Sequence, residues 1–117
     1  MIISFSKSLR YYIYRQAADM RKGFDGLCGL VFNEFLMSPL SGDVFIFFNQ
    51  RRDRVKILHW QGDGFAIYHK RLERGTFEIP LNESSLKSIE IDASTIQLIL
   101  EGITLSSIKK RKRFINA

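Results

Sequence analysis

Residues 43–80 read DVFIFFNQRRDRVKILHWQGDGFAIYHKRLERGTFEIP, and the fold turns on them. Runs rich in aromatic and β-branched residues at 43–49, 54–60, 64–72 and 76–80 alternate with QRRD, QGDG and ERG. Such side chains suit a pleated, half-buried surface, and short Gly- and Asp-bearing connectors make hairpin turns. Strands joined this tightly run antiparallel. The first run is apolar at almost every position, as a central strand covered on both faces must be. The second alternates, with Val55, Ile57 and His59 on one face and Lys56, Leu58 and Trp60 on the other. The stretch predicts a meander of three or four strands.

Working outward, LRYYIYR at 9–15 reads as a further strand. Residues 22–37 predict a helix, because Phe24, Leu27, Cys28, Val31 and Phe35 recur at helical spacing. Gly23, Gly26 and Gly29 lower its propensity by about 1 kcal/mol each and leave a smooth strip for another backbone. Asp19 is one candidate cap; the other reading starts the helix a few residues later. SPLSGD at 38–43 stops it, since Pro39 cannot continue a helix. LNESSLKS at 81–88 is a polar loop and IEI at 89–91 a short strand. A second helix spans 92–103, capped by Asp92 and stopped at Gly102. The expectation is one α+β domain over residues 1–105, a mostly antiparallel sheet with two helices packed against it. The first helix lies on one face and the second at an edge or on that same face. Residues 106–117 form a basic tail, expected to be mobile in isolation.

The whole chain has 117 residues, enough for one modest core, and its 45% apolar content with ten Phe argues against disorder. Net charge is +6, yet Lys109, Lys110, Arg111, Lys112 and Arg113 supply most of it and leave a nearly neutral body. A single cysteine, Cys28, excludes an intramolecular disulfide and a multi-thiolate zinc site. The opening residues lack the pattern of a signal peptide, and no apolar run approaches a membrane span. These features predict a soluble cytoplasmic protein with no membrane partner.

For catalysis, Asp43, Asp53 and Asp63 recur every ten residues near strand ends. A metal-dependent nuclease would gather such carboxylates, but successive hairpins point to opposite ends of a sheet. His59 and His69 fall on neighbouring strands and would meet only on a shared face. Cys28 reads as core packing rather than a nucleophile. QGDG opens no helix and is a turn, not a phosphate cradle. No cofactor is expected. The cations carry more. Arg51, Arg52, Arg54 and Lys56 begin one strand, and Lys70, Arg71 and Arg74 end the next. Antiparallel pairing brings both groups to one end of the sheet, where they would attract phosphates or an acidic partner. Arg21 and Lys22 form a second cluster at a helix start, where cations are unfavourable unless an anion binds there. The tail, Lys109 to Arg113 inclusive, adds non-specific attraction.

DMRKGFDGL at 19–27, SGDVFIFFNQRRDRVKILHWQGDGFAIYHKRLERGTFEIP at 41–80 and STIQLILEGI at 94–103 closely resemble one family. It is the small TnpB, or Orf2-like, accessory proteins of insertion-sequence-sixty-six transposons. The likeness covers roughly residues 9–103, in long ordered blocks far more specific than a short motif. It implies a bacterial mobile-element protein required for transposition beside a larger transposase that carries the strand-transfer carboxylates. The chain departs from the family pattern at Gln61, where an Asp usually follows the Trp, and at Ile79, where a Trp often precedes the Pro. The first departure weakens any catalytic role for an acid after Trp60. The expectation is therefore a non-enzymatic transposition factor that contacts DNA, the transposase or both through its cations. A pure adaptor without DNA affinity and a small nuclease remain as rivals.

Overall fold

The computed structural model describes residues 5–80 and 86–102. The expected polar loop falls largely on 81–85 and the basic tail on 106–117; both positions lie outside the described residues. The sheet has five strands: β1 (Tyr11–Tyr14), β2 (Val44–Phe48), β3 (Arg54–Trp60), β4 (Phe65–Arg71) and β5 (Ser88–Ile91). They lie in the order β4-β3-β2-β1-β5. The β2, β3 and β4 strands form the expected antiparallel meander. All five residues of β2, VFIFF, are buried, because this central strand is covered on both faces.

The sheet is mixed. β1 pairs parallel to β2, with Tyr11 opposite Val44, and antiparallel to β5. A parallel pair needs a long crossover, and the segment between Tyr14 and Val44 supplies one containing the first helix. The run at 76–80, expected as a strand, is not one. It crosses the end of the sheet instead. Phe77 is buried with its ring 5.5 Å from Phe48, and its N–H donates to the Arg52 carbonyl at 2.7 Å. One anchored aromatic satisfies that segment without a ladder.

Two helices cover opposite faces. The first comprises α1 (Phe24–Leu30) and a π-helical continuation, Val31–Phe35. Leu27, Val31 and Phe35 bury against Tyr14, Phe45, Phe47 and Leu58. The second, α2 (Ala93–Glu101), buries Ala93, Ile96, Ile99 and Leu100 against Tyr11, Ile13, Ile46 and Ile57. This corrects the expectation of an edge or shared face. Alternation in β1 requires it: Tyr11 and Ile13 point one way, Tyr14 the other, and each side carries apolar surface to be covered. Asp92 caps α2 by accepting from the Thr95 N–H at 2.7 Å, and Gly102 ends it at φ 82. Asp19 does not cap α1. Its carboxylate accepts from Arg21, and Gly23 precedes the helix without a side-chain cap.

Candidate nucleic-acid interface

The connection from β2 to β3 is built by Asn49. Its side-chain Oδ1 accepts from the Asp53 and Arg54 N–H groups at 3.1 and 3.0 Å, and its Nδ2 donates to Asp53 Oδ1 at 2.6 Å. Its carbonyl accepts from the Arg52 N–H. Arg52 adopts φ 57, a left-handed conformation that costs a side-chain-bearing residue about 1 kcal/mol or more. Neighbouring segments hold the turn from outside: Ala18 N–H donates to Phe48 O, Leu72 N–H to Asp53 O and Phe77 N–H to Arg52 O, at 2.7–2.8 Å. The turn is thus fixed before any ligand arrives. Asp53 is drawn inward, and its carboxyl is held below the ordinary value first by the Asn49 hydrogen bond.

This turn displays Arg51, Arg52 and Arg54 at the sheet end where β4 also finishes. Arg54 stands directly opposite Arg71, and Lys56 opposite His69, on the α1 side of the sheet, where His69 and Arg71 remain exposed. Like charges opposed across a ladder are destabilising, and an anion would relieve them. Among the described residues Arg51, Arg52, Arg54 and Arg74 form no ion pair, while Arg71 pairs with Glu73 at 2.8 Å. The local field shows at His69, whose imidazole is pushed below its ordinary value by burial and then by Lys56, Arg54 and Arg71.

Two expected members of the patch do other work. The Lys56 ammonium donates to the Met20 and Lys22 carbonyls, each at 2.8 Å, and fastens the segment before α1 to the sheet. Lys70 lies on the opposite face, where it donates to the Leu100 carbonyl at 3.0 Å and complements the C-terminal end of α2. In compensation, the second predicted cluster joins the first. The segment carrying Arg21 and Lys22 is tied to Lys56, and Met20 lines the same cleft as Arg51 and Arg54. Arg21 forks onto Asp19, whose carboxyl drops to about 2 chiefly through that hydrogen bond. Lys109, Lys110, Arg111, Lys112 and Arg113 lie outside the described residues.

Two clefts flank the turn. One, about 200 Å³, is lined by Arg15, Gln16, Asn49, Gln50 and Arg52 among others. The second, about 360 Å³, is lined by Ala18, Met20, Asn49, Gln50, Arg51 and Arg54 with Asp53. Arg15, Gln16, Asn49 and Gln50 were not singled out from the sequence. Asn49 was findable, since an Asn at a strand end before a short connector is turn chemistry. Arg15 and Gln16 reach the site only through the parallel pairing of β1 with β2.

The other candidates do not assemble. Asp43 and Asp63 lie at one end of the meander and Asp53 at the other, separated by the length of β3, about 20 Å for seven residues. Among the described residues no three His, Cys, Asp or Glu side chains are grouped to hold a metal ion. His59 and His69 face opposite sides, since His59 pairs with Ala66 and its Nε2 meets the Gly42 carbonyl at 3.1 Å. Cys28 packs with the α1-side cluster, and burial pushes its thiol up. No helix among the described residues is long and apolar enough to cross a membrane.

The sequence profile of the family described as "IS66 Orf2 like protein" matches residues 9–110. The chain is 30% identical to "Uncharacterized protein y4jC" of Sinorhizobium fredii (strain NBRC 101917 / NGR234), across 94% of this chain and 92% of the relative. It is 31% identical to "Uncharacterized protein y4hO" of the same strain, across 83% of each. No solved structure matches the chain. The blocks that carry the likeness include the β2–β3 turn and the segment before α1, so the family match spans the whole basic sheet end; the chain belongs to the IS66 Orf2-like (TnpB) family of transposition-associated accessory proteins.

Proposed function

We propose that the protein is a non-catalytic transposition factor that binds DNA through the end of the sheet bearing the β2–β3 turn. The observation that carries this reading is the fixed turn itself. It holds Arg51, Arg52 and Arg54 beside Arg71 and Arg74, in a body whose overall charge is nearly balanced. A stabilised array of like charges has a use when polyanionic phosphate approaches. Binding is expected to weaken steeply with salt. The test compares the full chain with Arg51/Arg52/Arg54→Ala on duplex DNA from 50 to 300 mM salt (concentrations of roughly physiological order). Loss of the two or three phosphate contacts these arginines supply reduces the slope of log K against log salt by about 2–3. An unchanged slope refutes the assignment of the surface.

A second reading has its own observation. A groove of about 520 Å³ on the α2 side is lined by Phe5, Leu9, Tyr11, Ile57, Ala66 and Tyr68 among others. Such a surface suits a protein partner, and the transposase of the element is the candidate. Capture of the transposase that survives high salt, by a chain with no DNA affinity, would favour an adaptor over a DNA-binding factor.

A further inference from the structure

We infer that the sheet-end surface recognises double-stranded DNA in preference to single strands, and that Gln50 and Arg51 at the crest of the β2–β3 turn read base edges. The inference rests on the DNA-binding reading above and extends it to the form and sequence of the DNA. It begins with what the site lacks. Single-strand binding surfaces place exposed aromatic rings along a basic groove, so that bases stack beside neutralised phosphates. The rings nearest the turn, Tyr14, Phe48 and Phe77, are buried in the two cores; Phe24, at the start of α1 beyond Lys22, is exposed, but one ring offers no track on which successive bases stack. The half-buried ring pair Trp60 and Phe65 sits at the far end of β3, some 20 Å from Arg54 by strand rise. A single strand stacked there would not share the arginines through adjacent nucleotides.

The turn has instead the features of a groove probe. Gln50 and Arg51 are exposed, and neither is used to build the turn; Asn49 and Asp53 do that. Gln50 lines both flanking clefts, one holding Arg15 and Arg52, the other Arg51 and Arg54. An amide crest between two arginine-bearing clefts matches a base edge between two phosphate-bearing walls. Gln pairs in bidentate fashion with adenine and Arg with guanine in the major groove, whereas arginines along the walls fix register without reading sequence. Rigidity matters here. A turn already locked by hydrogen bonds loses little conformational entropy on docking, so discrimination at its tip is not diluted by rearrangement.

The experiment uses the full chain and a duplex library with a randomised core of about ten base pairs, one helical turn, and the same library as single strands. The duplex pool is expected to bind more tightly than the single strands, and sequencing of the bound fraction to return a motif. Gln50→Ala should erase at least one position of that motif, with five- to hundredfold loss of discrimination there. The salt slope on the unselected duplex pool should not change, because Gln50 carries no charge. Tighter binding of single strands overturns the inference, and so does a flat wild-type distribution or a motif that survives in both Gln50→Ala and Arg51→Ala. Each of those outcomes leaves DNA binding standing. Failure to bind any DNA at low salt overturns the proposed function itself, and this inference with it.

Discussion

Lys56 and His69 face each other across β3 and β4, and the pair shows what a sequence does and does not say about one residue. Alternation placed Lys56 on the correct face, but its use is structural, because its ammonium satisfies two carbonyls of the segment before α1. Lys56→Met keeps the stem and strands both acceptors. We expect a loss of about 1–3 kcal/mol in urea unfolding. The salt slope of DNA binding should not change, which separates this residue from Arg54, two positions away. His69 is the complementary case. Its depressed imidazole binds fewer protons folded than unfolded, so stability falls as pH drops below the ordinary histidine value of about 6.5 and recovers above it. Bound phosphate reverses the local field and raises that imidazole, so binding takes up a proton. DNA affinity is expected to rise as pH falls from about 7.5 to 5.5, around the ordinary histidine value, and to rise less in His69→Gln. Equal pH dependence in the two proteins would place His69 away from the phosphates. The role of Lys56 was not legible in advance, because it depends on the segment that crosses above the strand; that of His69 depends on which face of β4 it shares with Arg54 and Lys56.

At the scale of elements, the strands of the meander were legible because their alternation and turn chemistry are local. The parallel seating of β1 and the opposite placement of α2 were not, because each is decided by which apolar face remains uncovered once the other elements have packed. The first helix gives the sharpest instance. Its glycines predict a smooth strip for close backbone approach, yet a Cβ at Gly29 would meet nothing within 4 Å, while one at Gly26 would meet Lys22 Cβ and Cγ at 3.0 Å. The strip faces outward and only Gly26 is crowded. Gly29→Ala should therefore stabilise the protein by up to about 1 kcal/mol through helix propensity. Gly26→Ala should gain less, since Lys22 must shift. Thermal unfolding of the two variants decides it; equal gains would mean Lys22 is not held where the structure places it. The helix end carries a second conflict. Leu36 takes φ 56 and is 84% exposed, and the last turn widens so that the Leu36 and Met37 N–H groups both reach the Val31 carbonyl. That widening accompanies the seating of Phe35 among Tyr14, Phe45 and Phe47, with ring centroids 5.3–5.7 Å apart. A uniform helical period does not reveal it.

For the molecule as a whole, charge is distributed in two parts that the sequence ranks wrongly by eye. The five consecutive cations at 109–113 dominate the net charge, whereas the arginines of the β2–β3 turn are fewer and interrupted by Asp53. Folding reverses their weight: the turn is rigid, Asp53 is drawn toward Asn49, and β4 brings Arg71 opposite Arg54. The family match ends at residue 110 and so includes the whole sheet end but only the first two cations of the tail. A surface that orients DNA must be tied to the fold, while a run of charges adds attraction without direction. Ending the chain after Ile108 should accordingly lower duplex affinity and reduce the salt slope by at most about 4.5, the contribution of five phosphate contacts. It should leave a measurable residual slope and any sequence preference intact. The experiment is a salt titration of the shortened chain on duplex DNA, read beside Arg51/Arg52/Arg54→Ala in the full-length chain. If the shortened chain loses all binding while the triple variant keeps it, the tail is the DNA-binding element. The sheet-end arginines would then serve a protein partner instead.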